Sequence, residues 1–240
     1  MGRITAIVTD FSDAFATAVT LLTTLDGDLV EIIGLSLQVS LTAVLIAALI
    51  GLPLGAAAAL FRFPGRGVLV VFLNALMGMP PVVIGLIVYL LLSRAGPLGV
   101  LGLLFSPTAM VIAQTLLVTP IIAALTRQVV DDLWTEYEEQ LRSFGAGPAR
   151  ALPTLLWDGR FSVVTAILAG FGRASAEVGA VMIVGGNIDH VTRVMTTAIA
   201  LEVSKGDLSL ALGLGIVLLA ISLTINAAVF LVGRIGERVA

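Results

Sequence analysis

The chain has 240 residues, of which 58% are apolar and 12% charged, against about 45–50% apolar and about 25% charged in an ordinary soluble domain. It therefore lacks the polar surface to cover a water-soluble globule, and the same composition excludes intrinsic disorder. Thirteen basic residues face 16 acidic ones with no basic block, which excludes a nucleic-acid partner; with no Cys and one His, neither a disulfide framework nor a cofactor or metal is expected.

The first segment, 1–29, carries acids at Asp10, Asp13, Asp26 and Asp28, with Glu31 just beyond. Between Asp13 and Asp26, apolar and Thr residues recur at helical spacing. The pattern predicts a short amphipathic helix on the membrane surface, the competing reading being a sixth, poor span. Residues 30–235 then form one all-α transmembrane domain. A spanning helix needs about 20 mostly apolar residues, and charge-free windows run over Ile32–Phe61, Gly67–Ser93, from about Ser106 to Arg127, and over Leu208–Gly233. A further window, Phe161–Ile188, is interrupted by Arg173 and Glu177. About five transmembrane helices are expected, and the long uniform runs exclude a barrel of alternating strands.

Inside the second window, Met77-Gly78-Met79-Pro80-Pro81 breaks helix geometry, with Asn74 just before it; Thr119-Pro120 repeats the pattern in the third. Irregular backbone at membrane depth is tolerated where it is buried or lines a cavity, so these positions read equally as packing kinks or as pathway lining. Arg173 and Glu177 stand four apart, which on a continuous helix places them on one face, as an internal ion pair or as charges at a pathway. Ser222 and Asn226 are expected to bond between helices, and His190 to be a solvated loop residue. Lys and Arg in the short loops set orientation. With the N-terminus outside, Arg62, Arg66, Arg127, Arg142, Arg150, Arg160, Arg234 and Arg238 are cytoplasmic, against Arg3, Arg94, Arg193 and Lys205 outside. The majority inside predicts an external N-terminus and a cytoplasmic C-terminus.

The longest polar stretch, about 130–160, is then cytoplasmic. Thr135 with Glu138 has capping-box spacing and predicts a helix from about Glu136 with Leu141 and Phe144 on one side. Gly145 would stop it, and Gly147-Pro148 would open a second helix with Leu152, Leu155 and Leu156 on its apolar side. Such a helix–turn–helix is a solvated connector or the docking element for a partner groove.

No G-x-x-x-x-G-K-[ST] phosphate loop is present. Ser175 lacks a G-x-S-x-G frame, which argues against an intramembrane protease. An ion-coupled secondary carrier, with Glu177 as proton relay, is the remaining alternative from the residues themselves.

EQLRSFGAGPARAL, residues 139–152, resembles the coupling motif of ABC-importer permeases. Glu139-Gln140-Leu141 stands at its Glu-Ala-Ala start and Gly145 on its Gly, although its later Ile-x-Leu-Pro falls on Leu155-Leu156-Trp157-Asp158, without the Leu-Pro pair. FGRASAEVGAVMIVGGNI (171–188) is similar to the segment that oxyanion permeases for molybdate, sulfate and tungstate carry downstream. VTRVMTTAIALEVSKGD (191–207), NALMGMPPVVIGLIVYLLLSRAGPLG (74–99) and LLFSPTAMVIAQTLL (103–117) look most like tungstate permease subunits. The resemblance implies a type I ABC-importer permease fold in the cell membrane and no catalytic residues in this chain. It implies two ATPase subunits on a separate chain, an extracellular oxyanion-binding protein, and a second copy of this chain with the path on the two-fold axis. ATPase coupling would fall to Glu138, Glu139, Leu141, Arg142, Phe144 and Gly145. The translocation pathway would fall to Asn74, Pro80, Thr119, Arg173, Ser175 and Glu177. The implied cargo is tungstate first, then molybdate, then sulfate.

Overall fold

Proline and glycine set most of the helix boundaries. The computed structural model describes residues 27–239 together with Phe15, Ala16, Val19, Thr20 and Thr23; the amphipathic helix expected before the first span lies for the most part outside the described residues. The elements are α1 (Gly27–Leu60), α2 (Arg66–Met77), α3 (Pro81–Leu92), a 3-10 turn (Gly99–Leu101), α4 (Pro107–Ser143), α5 (Pro148–Asp158), α6 (Arg160–Ser175), α7 (Gly179–Gly185), α8 (Met195–Lys205) and α9 (Leu208–Val239). Among the described residues, three helices, α1, α4 and α9, are long and apolar enough to cross a membrane. Two bent pairs, α2 with α3 and α5 with α6, bring the number of candidate spans to as many as five.

The second window is thus not a kinked rod. The chain turns through 103° between α2 and α3. Gly78 and Met79 close a turn by donating to Ala75 O and Leu76 O, both at 3.2 Å. Pro80 then pushes Met79 out of helical geometry, and Pro81 restarts the helix at the position where proline is tolerated. The Thr119-Pro120 step behaves differently: α4 runs through Pro120 without interruption. Thr119 Oγ1 donates to Thr115 O at 2.7 Å, within the same helix.

Helix α4 also continues past Arg127 to Ser143 and absorbs the separate helix expected from Glu136. Thr135 is not a cap. Its hydroxyl donates back to Asp131 O at 2.8 Å, as a Thr in mid-helix does. The window Phe161–Ile188 breaks as well: α6 ends at Ser175 and α7 begins at Gly179, so Arg173 and Glu177 do not share one continuous helix. In α9, Asn226 Nδ2 donates to Ser222 O of its own helix at 2.8 Å, where an interhelical bond was expected.

The chain divides into two compact units. One comprises Ser40–Ile84 and Val111–Ala174. Within it, Gly51 and Gly55 of α1 form a G-x-x-x-G stripe against α4. A methyl on Gly51 would lie 3.1 Å from Thr119 O, and one on Gly55 would overlap the Ala123 carbonyl oxygen. Close backbone approach of this kind is what drives helix association in lipid, where burial of apolar side chains gains little. Below the crossing, Ala56, Ala59 and Leu60 of α1, Val130 of α4, and Ala151 and Leu155 of α5 form one buried cluster.

The other unit comprises the described part of Met1–Val39, Gly85–Met110 and Ser175–Ala240. Its core joins Leu29 of α1, Met195 and Ala198 of α8, and Leu214 and Val217 of α9. Ser36 Oγ of α1 accepts the Met195 N–H at 2.8 Å, fixing the start of α8 against α1. Gly85 of α3 lets that helix approach α7, where a methyl would lie 2.7 Å from Ala180 Cα.

Candidate functional site

The polar turn between α4 and α5 is built to be rigid and to project. At the end of α4, Gly145 adopts φ +74°, a left-handed conformation that glycine enters without steric cost. Gly145 N donates to Arg142 O at 3.0 Å and Ala146 N to Leu141 O at 2.9 Å. This double bond pattern is the Schellman closure. Gly147 is extended, and Pro148 occupies the first position of α5. Glu138 and Arg142 pair at 2.6 Å along α4. Both are partly exposed, so the pair contributes only about 0.3–0.5 kcal/mol and serves mainly to order the two side chains.

The turn stands on a packed base. Leu155 and Ala151 are 1% exposed; Leu152, Leu156 and Leu141 pack against the same cluster. Leu141 therefore faces inward in part, while Phe144 is 86% exposed and Glu139 is exposed beside it. Of the two apolar residues expected on one side, Phe144 is the one presented outward.

An ion cluster fastens this arm. Arg66 Nε donates to Ala58 O at 2.6 Å and Nη2 to Ala59 O at 3.2 Å, so the first residue of α2 reaches back to satisfy the last carbonyls of α1. The same Nη2 lies 3.4 Å from Asp131 Oδ1, and Arg127 Nη1 lies 3.6 Å from Asp131 Oδ2. Sequence reasoning missed Asp131; its signal was the i,i+4 spacing from Arg127.

The expected pathway residues fall in both units. In the first, Asn74 is exposed on α2, Pro80 is exposed in the α2–α3 bend, Thr119 is half-buried on α4, and Arg173 is half-buried in the last turn of α6. Gln114, 3% exposed on α4, donates from Nε2 to Ala174 O at 3.1 Å and so satisfies a carbonyl at the end of α6. In the second unit, Ser175 is half-buried and Glu177 is 2% exposed. Glu177 Oε1 accepts the Ala180 N–H at 2.9 Å, capping α7, and Thr196 Oγ1 donates to Glu177 O at 2.8 Å. Sequence reasoning passed over both Gln114 and Thr196, since neutral polar residues leave no gap in a charge-free window.

The loop between α7 and α8 is also ordered. Thr192, 0% exposed, accepts the Ile188 N–H at 2.9 Å and donates to Gly185 O at 2.6 Å. His190, at φ +54°, places Nδ1 at 2.8 Å from Glu31 Oε2 of α1, so it is tied rather than simply solvated. The hydrogen bond to Glu31, then the negative charges of Asp189 and Glu31, raise its pKa above the ordinary histidine value. Among the described residues, no group of three or more His, Asp or Glu side chains could hold a metal ion.

The model of the inner membrane component of binding-protein-dependent transport systems matches residues 51–238. The tungstate uptake system permease protein TupB of Peptoclostridium acidaminophilum is 42% identical over 219 residues, covering 91% of this chain and 96% of that protein. A protein of Haloferax volcanii named "probable anion ABC transporter permease protein" is 40% identical over 204 residues, 83% of this chain and 88% of its own length. The TupB of Campylobacter jejuni is 36% identical over 166 residues, 69% of this chain and 70% of that protein.

Proposed function

The chain belongs to the family of inner membrane components of binding-protein-dependent transport systems, and on that premise we propose that it is the tungstate permease subunit of an ATP-driven ABC importer. The observation that carries the cargo is the 42% identity, over nine-tenths of the chain, to a tungstate uptake permease. The coupling reading is supported by the Gly145-closed turn with Phe144 standing exposed on a packed base.

A membrane path alone does not drive uptake against a gradient. Energy comes from two ATPase subunits on a separate chain, which dock on the α4–α5 turn with Phe144 as apolar anchor and Glu139, Arg142 and Glu138 as polar rim. Leu141 and Gly145 hold the turn in shape from behind. Up to five spans are few to enclose an aqueous route, so two copies of this chain share it across a two-fold axis. Each lining residue then appears twice around a compact tetrahedral dianion. Asn74, Thr119 and Ser175 offer neutral hydrogen bonds suited to weak, transient contact; Pro80 shapes the bend, and Arg173 and Glu177 are the charged residues of the route. An extracellular binding protein delivers the ion and performs most of the selection, since tungstate and molybdate have the same charge and shape. The Lys/Arg distribution supports an external N-terminus and a cytoplasmic C-terminus.

The test is metal accumulation in cells carrying the whole system, with and without this chain. Loss of tungstate uptake on deletion supports the reading; normal tungstate uptake with loss of molybdate, sulfate or an organic solute overturns the cargo. Glu139→Lys combined with Phe144→Ala should leave the permease in the membrane without its ATPase. Unchanged co-purification and transport in that variant would reject the docking surface.

A further inference from the structure

Arg160 is the first residue of α6, at the corner where the chain turns through 75° from α5. Its Nη1 donates to Trp157 O at 2.9 Å, closing the last turn of α5. Its Cζ lies 5.2 Å from the Trp157 ring centroid and 4.6 Å from that of Phe161. Two aromatic faces therefore hold one guanidinium, each attracting it through the ring quadrupole. Among the described residues, Arg160 is in no ion pair. One carbonyl uses one of its five N–H donors, and the rest of the fork is available.

The surroundings identify what the fork meets. Helix α5 buries Ala151 and Leu155 against α1 and α4 and leaves Trp157 71% exposed. Helix α6 then begins the apolar run FSVVTAILAGF. The corner is thus where the polar stretch that ends at Arg160 meets the uninterrupted apolar run that begins at Phe161. A tryptophan so exposed is costly in water but well placed at headgroup level, where the ring body meets acyl chain and the indole N–H meets polar groups. A planar guanidinium matches a phosphate bidentately, and the two rings have already restricted its rotamers, so less entropy is lost on binding.

We propose that Arg160, with Trp157 and Phe161, forms a binding site for the phosphate of an anionic phospholipid in the leaflet on the side of the α4–α5 turn. This assignment rests on the membrane location of the chain and not on which ion is carried. An anionic lipid is specified because Arg160 has no acidic partner among the described residues, whereas a zwitterionic headgroup brings its own ammonium to offset its phosphate. The neighbouring Asp158 is exposed and disfavours a second negative group, which limits the site to one phosphate.

The test uses the full-length permease carrying Trp134→Phe, so that Trp157 is the sole tryptophan, in phosphatidylcholine vesicles containing brominated phosphatidylglycerol or, at the same mole fraction, brominated phosphatidylcholine. Brominated phosphatidylglycerol should quench Trp157 more strongly, corresponding to about fivefold local enrichment, the equivalent of the ~1 kcal/mol that a basic residue gains at an anionic surface. Arg160→Gln should remove the preference while the protein stays folded, as its elution shows; Arg160→Lys, which keeps the charge and loses the fork, should retain part of it. Should Arg160→Gln fail to fold, raising salt on the parent protein must abolish the preference. Equal quenching by both lipids in the parent protein overturns the proposal. So does a preference that survives in a folded Arg160→Gln, or protection of Trp157 by added ATPase subunits, which would assign the surface to that partner.

Discussion

The α1–α4 crossing can be tested by adding single methyl groups along one helix. At Gly55, a β-carbon would overlap the Ala123 carbonyl oxygen and sit 3.0 Å from the Arg127 nitrogen. Both are backbone atoms of a continuous helix, so neither can swing aside, and α1 must move away by roughly 1 Å, as an overpacked core does at a cost of about 1–3 kcal/mol. At Gly51 the nearest atoms, Ile122 Cγ2 and Thr119 O, lie 3.1 Å away, tight but without overlap, so a shift of a few tenths of an ångström suffices. At Gly34 nothing lies within 4 Å, so alanine should gain up to about 1 kcal/mol from helix propensity. The expected order of thermal stability in detergent is therefore Gly34→Ala at or above the parent, Gly51→Ala slightly below it, and Gly55→Ala lowest. With about 2–4 °C per kcal/mol for a chain of this size, Gly55→Ala should lose roughly 2–12 °C. If Gly55→Ala matches Gly34→Ala, the helices do not approach as closely as described and the reasoning fails.

Two further outcomes follow from polar contacts. Asp131→Asn removes both ion pairs from partly exposed arginines and should cost less than about 1 kcal/mol, whereas Arg66→Ala also strips donors from the α1 carbonyls and should cost about 1–3 kcal/mol more; equal thermal shifts would count against the capping role of Arg66. For His190, the folded pKa lies above the ordinary value of 6.5, so its stabilising tie to Glu31 is fully present below the unfolded pKa and is lost as pH rises through the folded one. The melting-temperature gap between the parent and His190→Ala should therefore be wider at about pH 5.5 than at about pH 9, and a gap that widens with pH would exclude the tie.

Span positions were legible because length and apolarity decide them, and the break at Met77–Pro81 was legible from its prolines, but its angle and the break after Ser175 were not. Every residue from Gly67 to Ser93 is uncharged, so the window reads as a single span although it bends through 103°. The difference between Pro120, which α4 absorbs, and Pro80-Pro81, which ends a helix, lies in adjacency. A lone proline removes one donor, while a pair removes two in succession and forces the first out of helical geometry. The α4–α5 turn was legible at Gly145 and Pro148 because each meets a backbone requirement few other residues meet. Thr135 misled because S/T-x-x-E spacing also occurs inside helices, where the hydroxyl bonds back to the preceding turn.

The same logic explains which polar residues reside at membrane depth. A helix that stops inside an apolar layer exposes carbonyls at one end and N–H groups at the other, each costing several kcal/mol if left unpaired there. The end of α6 is met by Gln114, whose amide reaches Ala174 O. The start of α7 is met by Glu177, whose carboxylate takes the Ala180 N–H, and the intervening Glu177 carbonyl is met by Thr196. Each cap comes from a residue that composition alone counts as a polar intrusion. Burial at 2% exposure is the expected state of such a cap, since the group that satisfies a backbone end must go where that end is. In a permease with broken spans, polar residues such as Gln114, Glu177 and Thr196 are thus structural necessities of the break they cap.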